Sequence, residues 1–281
     1  MKRFETVAIV GVGLIGGSVG LALRKFDLAE KIVGIGHRQV SLRIARRVGA
    51  VTNTTIDLSK GVAEADLVVV CTSVGRIIED VRRVAEHCPE GTLITDVGSA
   101  KQKIVEALDE DLPRNCRFVG AHPLAGKEKA GAGNADADLF DGRVVVVTPT
   151  SNSRAEDYDL VEEFWEGLGS VVIKMSAQQH DEALAVTSHL PHVAAVALAA
   201  SVDERLFRLS SSGLRDTSRL ASGDPALWKQ ILAYNRDHVL AAMQEYGAGL
   251  AALYNAIRDD DQTQLEEILT KAKKNRDALG S

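Results

Sequence analysis

The chain has 281 residues, 45% of them apolar, with 33 Lys and Arg against 39 Asp and Glu, a formal charge of −6. That length accommodates one large domain or two ordinary ones. The mildly acidic balance, with both signs scattered along the chain, leaves no basic footprint for nucleic acid or an anionic membrane surface.

The opening MKRFETVAIVGVG runs into glycines instead of a cleavage site, which argues against a signal peptide. From there short β-branched runs alternate with segments of helical spacing, as βαβ units and a mostly parallel sheet require. Strands are predicted at Thr6–Val10, Lys31–Ile35, Leu67–Cys71, Thr92–Thr95, Arg117–Ala121 and Arg143–Thr148, and helices at Gly16–Phe26, Ser41–Val48, Arg76–His87 and Lys101–Asp109. Residues 149–154 read as a loop, followed by a helix at Ala155–Leu168 and a last strand at Val171–Met175. After Ser176 strand-like runs disappear, and Ala/Leu-rich helices are expected at Ala177–Glu204, Leu214–Ser222, Pro225–Arg258 and Thr263–Arg276. With GVGLIG joining the first predicted strand to the first helix, the fold class is an α/β dinucleotide-binding domain of Rossmann type over 1–175 and an all-α domain over 176–281. About 100 residues of long helices with apolar surface to spare often complete their core against a partner chain, so a homodimer through the helical domain is expected. The most apolar late stretch, 193–202, is too short to span a bilayer. Cys71, Cys88 and Cys116 lie in or beside apolar runs without metal-type spacing, which fits reduced, packed thiols in a cytoplasmic protein.

Gly11-Val12-Gly13-Leu14-Ile15-Gly16 directly follows a predicted strand and opens a predicted helix, the context in which G-x-G-x-x-G marks a dinucleotide site. Gly11 permits the tight turn, Gly13 a close approach of backbone amides to a pyrophosphate, and Gly16 close helix–strand packing. An NAD site usually carries a carboxylate about 20 residues further on to hold the ribose 2′-hydroxyl. Here that position is Gly36, followed by His37 and Arg38. Without a carboxylate to repel it, a 2′-phosphate suits Arg38 with His37 beside it, so NADP is the expected cofactor and NAD the alternative. An Arg on a solvated turn is the plainer reading of the same residue. Ser73, just past the strand ending at Cys71, joins the expected cofactor contacts.

Ser99, in Asp96-Val-Gly98-Ser99-Ala-Lys101, and His122, in Gly120-Ala-His122-Pro-Leu-Ala-Gly126-Lys127, both fall at predicted C-terminal ends of parallel strands, where open α/β sheets place ligands. His122 alone also fits a strand-end His bonded to backbone. His189 and His192 lie three apart on a helix, but no carboxylate or Cys completes a set, so no metal is expected. Arg215 and Arg219, four apart, lie on one helical face that could equally be solvated. Trp228 and Tyr234 read as core or interface, and Asp259–Asp261 as an exposed turn capping the last helix.

GVGLIGGS, DVGSAK, GAHPLAGKEKAG, SHLPH and GLRDTSRLASGDP, in this order and spacing, resemble the prephenate/arogenate dehydrogenase family over essentially the whole chain. That family oxidatively decarboxylates prephenate or arogenate with a nicotinamide cofactor in tyrosine biosynthesis. The resemblance implies that His122 accepts the proton of the ring 4-hydroxyl as hydride leaves, and that Ser99 orients His122 or bonds the same hydroxyl. It further implies that Arg219 binds a substrate carboxylate and that His192 shapes the pocket, with Arg215 and Asp216 close by. The family usually has Thr or Ser where this chain has Lys127, which places a cation near the expected substrate. The chemistry asks for these residue types independently: imidazole titrates near working pH, and two anionic groups on a small ring need cations at fixed places. Two rival readings are a β-hydroxyacid dehydrogenase of the same two-domain build and a non-catalytic NADP-binding sensor or scaffold. The first usually needs a Lys on the first long helix of the second domain, and residues 177–204 contain none.

Overall fold

The computed structural model describes residues 3–127 and 129–280. In chain order the elements are β1 (Phe4–Val10), α1 (Leu14–Lys25), β2 (Ala29–Ile35), α2 (Gln39–Arg47), β3 (Asn53–Thr55), α3 (Leu58–Val62), β4 (Leu67–Val70), α4 (Ile77–Ala85), β5 (Leu93–Asp96), α5 (Gln102–Leu108), β6 (Arg117–Pro123), β7 (Val144–Thr148), α6 (Ala155–Gly167) and β8 (Val171–Lys174). Helices alone follow: α7 (Ala177–Leu184), α8 (Leu190–Ser201), α9 (Ser212–Ser218), α10 (Pro225–Tyr234), α11 (Arg236–Arg258) and α12 (Gln262–Ala278).

The eight strands form one sheet in the order β3-β2-β1-β4-β5-β6-β7-β8. β1 to β6 are parallel; β7 runs antiparallel to β6, and β8 parallel to β7. Both faces are covered, which explains the unbroken apolar strands. Along β1, Val7 and Ile9 point into one core with Val19, Leu23, Phe164 and Trp165, while Ala8 and Val10 point into a second core with Val81, Val84 and Ile104. β4 repeats the alternation, Leu67 and Val69 one way, Val68 and Val70 the other. Each such Val, Leu or Ile side chain, removed from water, contributes about 1.5–3 kcal/mol. The order reverses between β1 and β4, which opens a crevice at the strands' C-terminal ends.

The three-residue β3 carries too little pattern to be seen in the sequence. The helix expected over Pro225–Arg258 is two helices, because Asn235 leaves helical geometry (φ −104°, ψ 33°) and spends its side-chain amide on other partners. The helix expected over Ala177–Glu204 ends at Ser201 and contains a π-helical stretch, Ala185–His189, between α7 and α8. Ala177–Ser201 spans 25 residues and contains an 18-residue window of mean hydropathy 1.5, long and apolar enough by those measures alone to cross a membrane. Its inward side carries polar groups, with His180, Asp181, His189 and His192 all buried. π-Helical stretches of this kind are frequent at functional sites.

The two halves meet where α10 crosses the loop after β4: Gly75 N–H donates to Gln230 Oε1 at 3.1 Å and the Tyr234 hydroxyl donates to the Gly75 carbonyl at 3.3 Å. α11 presents Leu240, Met243, Tyr246, Leu250, Tyr254 and Ile257 to solvent as a stripe at helical spacing. Cys71, Cys88 and Cys116 are free thiols; Cys88 and Cys116 are buried with their Sγ atoms 3.3 Å apart.

Candidate active site

The glycine turn after β1 has the geometry of a nucleotide cradle. Gly11 sits at φ +97°, and a Cβ there would stand 2.7 Å from the Cys71 carbonyl oxygen. A Cβ on Gly16 would stand 2.1 Å from the Gly11 oxygen, so neither position tolerates a side chain. Gly13, at the N-cap of α1, faces open space, with no side-chain cap and no acidic residue in the first turn, where Leu14 and Ile15 lie. Backbone N–H groups and the positive end of α1 are thus unclaimed by the protein, which fits a pyrophosphate. At the end of β2, His37 and Arg38 are exposed, Arg38 at the N-cap of α2. A Cβ at Gly36 would come no closer than 3.4 Å to Leu42 Cδ2. Ser73 is half-buried in the turn after β4, whose last residue is Val70.

His122 lies near the end of β6, in register with Val146 of β7, and is buried. Its Nδ1 is 2.8 Å from Nε2 of His180, and Nδ1 of His180 is 2.7 Å from Oδ1 of Asp181. Donor accounting fixes the direction of this chain. The Asp181 carboxylate can only accept, so His180 carries its proton on Nδ1 and presents a lone pair at Nε2. His122 must then donate from Nδ1, which leaves its Nε2 as an unprotonated base. Asp181 also accepts the backbone N–H of Lys101 at 2.7 Å and of Gln102 at 3.0 Å. Burial opposes ionisation of Asp181, but those bonds from His180, Lys101 and Gln102 outweigh it and hold its carboxyl below the usual range.

Burial pushes His122 well below the ordinary histidine value, helped by the neighbouring His180, Lys101 and His189. It lowers His180 too, against the opposing pull of Asp181. His189 is pushed down to about 4, chiefly by burial. The Asn235 amide donates to the Asp181 carbonyl at 2.7 Å and lies 3.0 Å from His189 Nδ1, so Nε2 of His189 carries the proton, with the Ser99 carbonyl as its neighbour. His122 is therefore held by His180, which takes the first of the two roles expected for Ser99, orienting His122 or bonding the substrate hydroxyl; Ser99 is half-buried and reaches the cluster through its backbone.

Further along the cleft, the His192 ring stacks on Trp228, with centroids 3.5 Å apart and planes at 5°, and His189 meets the same indole edge-on at 6.0 Å. The 3-10 turn Arg219–Ser222 packs beside them, and a Cβ on Gly223 would lie 3.0 Å from His192 Cε1. Arg215 and Asp216 are exposed on α9, and Arg219 is exposed at its end. Lys127 is committed to Asp136 by an ion pair of 2.8 Å, so its charge is already balanced within the protein. The Asp136 backbone N–H in turn donates to the Ser18 hydroxyl oxygen at 3.0 Å, which lays this segment across α1. Among the described residues no group of three or more His, Cys, Asp or Glu is arranged to hold a metal ion.

Sequence reasoning missed His180, Asp181 and Asn235. The available signal was an adjacent His-Asp pair four residues into a helix whose N-terminus Ser176 and Gln179 close as a capping box. A polar pair there, with solvent face available, has to be buried for a reason.

The sequence matches the family described as "Prephenate dehydrogenase, nucleotide-binding domain" over residues 19–174 and that described as "Prephenate dehydrogenase, dimerization domain" over residues 176–271. It is 32% identical to prephenate dehydrogenase of Bacillus subtilis, covering 98% of this chain and 76% of that protein. It is 33% identical to cyclohexadienyl dehydrogenase of Zymomonas mobilis, covering 99% and 97%. Among solved structures, prephenate dehydrogenase of A. aeolicus in complex with hydroxyphenyl propionate and NAD+ superposes with a TM-score of 0.91 at 32% identity, over 98% of each chain.

Proposed function

The chain belongs to the prephenate dehydrogenase family, and on that premise we propose that it oxidatively decarboxylates prephenate or arogenate, preferring NADP to NAD, in tyrosine biosynthesis in the cytoplasm. What supports this chemistry is the direction of the hydrogen bonds from Asp181 through His180 to His122, which leaves Nε2 as the unprotonated nitrogen of a buried imidazole. Oxidation at an alcohol carbon needs the hydroxyl proton removed as hydride departs, and a neutral imidazole performs that removal. When bound, the nicotinamide supplies the hydride acceptor. The proton taken at Nε2 makes His122 an imidazolium, whose Nδ1–H is held by His180 and backed by the Asp181 charge. Loss of CO2 needs no separate acid, because aromatisation of the ring drives it.

Gly11, Gly13, Leu14, Ile15, Gly16 and Ser73 hold the dinucleotide, with Arg38 and His37 on the 2′-phosphate. NADP rests on Gly36, which offers no carboxylate to repel that phosphate. Arg219, with Arg215 and Asp216 nearby, fixes the substrate's carboxylates; His192, held flat against Trp228, forms a wall of the pocket. Lys127 bears on the substrate's side chain only through a loop that its bond to Asp136 holds in place. The first domain runs to 175. The second, from 176, completes the pocket and joins two copies through the apolar stripe of α11 and the adjoining groove of about 460 Å³ between Val186, Leu190, Ala242 and Tyr246. No nucleic acid or membrane partner is part of this function.

Purified protein mixed with prephenate or arogenate and with NADP or NAD, in all four pairings, tests it through the absorbance of reduced cofactor. Turnover is expected with one of the two substrates and faster with NADP; none in any pairing refutes the enzyme assignment.

A further inference from the structure

Two fully buried charged side chains are left over from this mechanism. Lys101 and Asp96 are both sealed from solvent, and the Lys101 ammonium pairs with Asp96 Oδ2. Stability alone is a poor reason for such a pair, since well-packed apolar residues of similar volume usually do as well or better. Its bonds lead to the base instead. Asp96 Oδ1 accepts the N–H of Ala121, the residue before His122, at 3.1 Å. Oδ2 accepts the Gly98 N–H at 2.8 Å, in the turn that carries Ser99. Lys101 lies beneath the same strand, where a Cβ on Gly120 would come within 3.6 Å of its Cδ. The Lys101 backbone N–H donates to Oδ1 of Asp181, the oxygen that also receives His180 Nδ1. One residue thus joins both carboxylates of the site, by its ammonium and by its amide.

We propose that Asp96 and Lys101 are the positioning pair of the catalytic base: Asp96 pins the backbone ahead of His122 and the turn of Ser99, and the Lys101 ammonium beneath β6 disfavours a resting positive charge on the His122–His180 couple. The titratable groups facing that couple are Asp96 from β5, Lys101 from the turn before α5, Asp181 from α7 and His189 from the π-helical stretch; on β7, Val146 stands in register with His122. Lys101 is the cation whose charge bears on both rings, after burial itself, while Asp181 and Asp96 pull His180 the other way. The couple then rests neutral and takes a proton only when the substrate hydroxyl delivers one.

The inference rests on His122 as the base, so its first readout avoids turnover. Full-length protein labelled with 15N-histidine is titrated by NMR without ligand, the His122 signals being assigned by their loss in H122N. In K101M the midpoint at which the His122–His180 couple protonates is expected to rise by about one pH unit; in D96N/K101M, where neither charge remains, it returns toward the wild-type value. An unmoved midpoint in K101M overturns the charge-setting role. The second readout is kinetic. D96N/K101M leaves no unpaired charge behind at these two positions, so it remains testable if K101M does not fold, and its kcat is expected to drop about 10- to 100-fold with cofactor Kd unchanged, because the carboxylate no longer pins both backbone amides. A wild-type kcat overturns the positioning role. Absence of turnover by the wild-type protein counts against the proposed reaction and leaves the titration result standing.

Discussion

Replacing Asp181 by Asn changes one oxygen to an amide nitrogen at the far end of the hydrogen-bond chain, about as small a perturbation as the site allows. The carboxylate accepts three hydrogen bonds, from His180 Nδ1 at 2.7 Å and the Lys101 and Gln102 amides at 2.7 and 3.0 Å. An Asn has one acceptor and one donor end. If its oxygen faces His180 and Lys101, its NH2 meets the Gln102 N–H, and a buried donor goes unsatisfied at about 1–3 kcal/mol of stability. If it turns over, its NH2 meets His180, which must then protonate at Nε2, and His122 loses the lone pair at its own Nε2. Either orientation removes the negative charge that backs the imidazolium. A fall in kcat of about 10²- to 10⁴-fold is expected, about 2.7–5.4 kcal/mol in the barrier, with cofactor affinity unchanged. Steady-state reduction of the nicotinamide, with a thermal melt to separate stability from chemistry, measures it. A folded D181N variant with kcat within about threefold of wild type refutes the tautomer chain.

Gly36→Asp has room for its Cβ and is expected to shift the ratio of kcat/KM for NADP over NAD toward NAD by about tenfold or more; an unchanged ratio removes Arg38 from the 2′-phosphate. Because burial first, and then His180, Lys101 and His189, lower His122 below its ordinary value, kcat/KM is expected to stay flat as pH falls through about 6.5 and to decline only below it; half-maximal activity at about 6.5 contradicts that. His189, at about 4 when folded, must take a proton on unfolding in acid. Its contribution is fully present above its unfolded value and lost as pH falls toward about 4, about 3 kcal/mol in all, which urea melts of wild type and H189Q across that window resolve.

The central strands of the first half were legible because they are buried almost throughout. LVVVC and TVAIV read as strands with no tertiary information, and Gly11 and Gly16 advertise positions where no Cβ fits. The last helices were legible as helices but not in their breaks: nothing local at Asn235 shows that its amide is taken by Asp181 and His189 from a helix over 40 residues earlier in the chain. The site divided the same way. His122 stood out through its neighbours in sequence, whereas its orienting partner arrives from 58 positions away, and the sequence had offered Ser99 for that role. Asp96 and Lys101 were visible as part of DVGSAK but carried no signal of burial, since charged residues at a strand end are ordinarily solvated. Lys127 looked like a cation for the substrate because Asp136, its partner, sits nine residues on in a segment without secondary-structure pattern.

The most direct test of His122 as the base is the variant His122→Asn, which keeps a polar side chain at the end of β6 and removes the basic nitrogen. Measured with the better substrate and cofactor, kcat is expected to fall by about 10²- to 10⁴-fold, while the cofactor's Kd, from quenching of protein fluorescence, stays at the wild-type value. A near-normal kcat in a variant that binds cofactor normally contradicts the account.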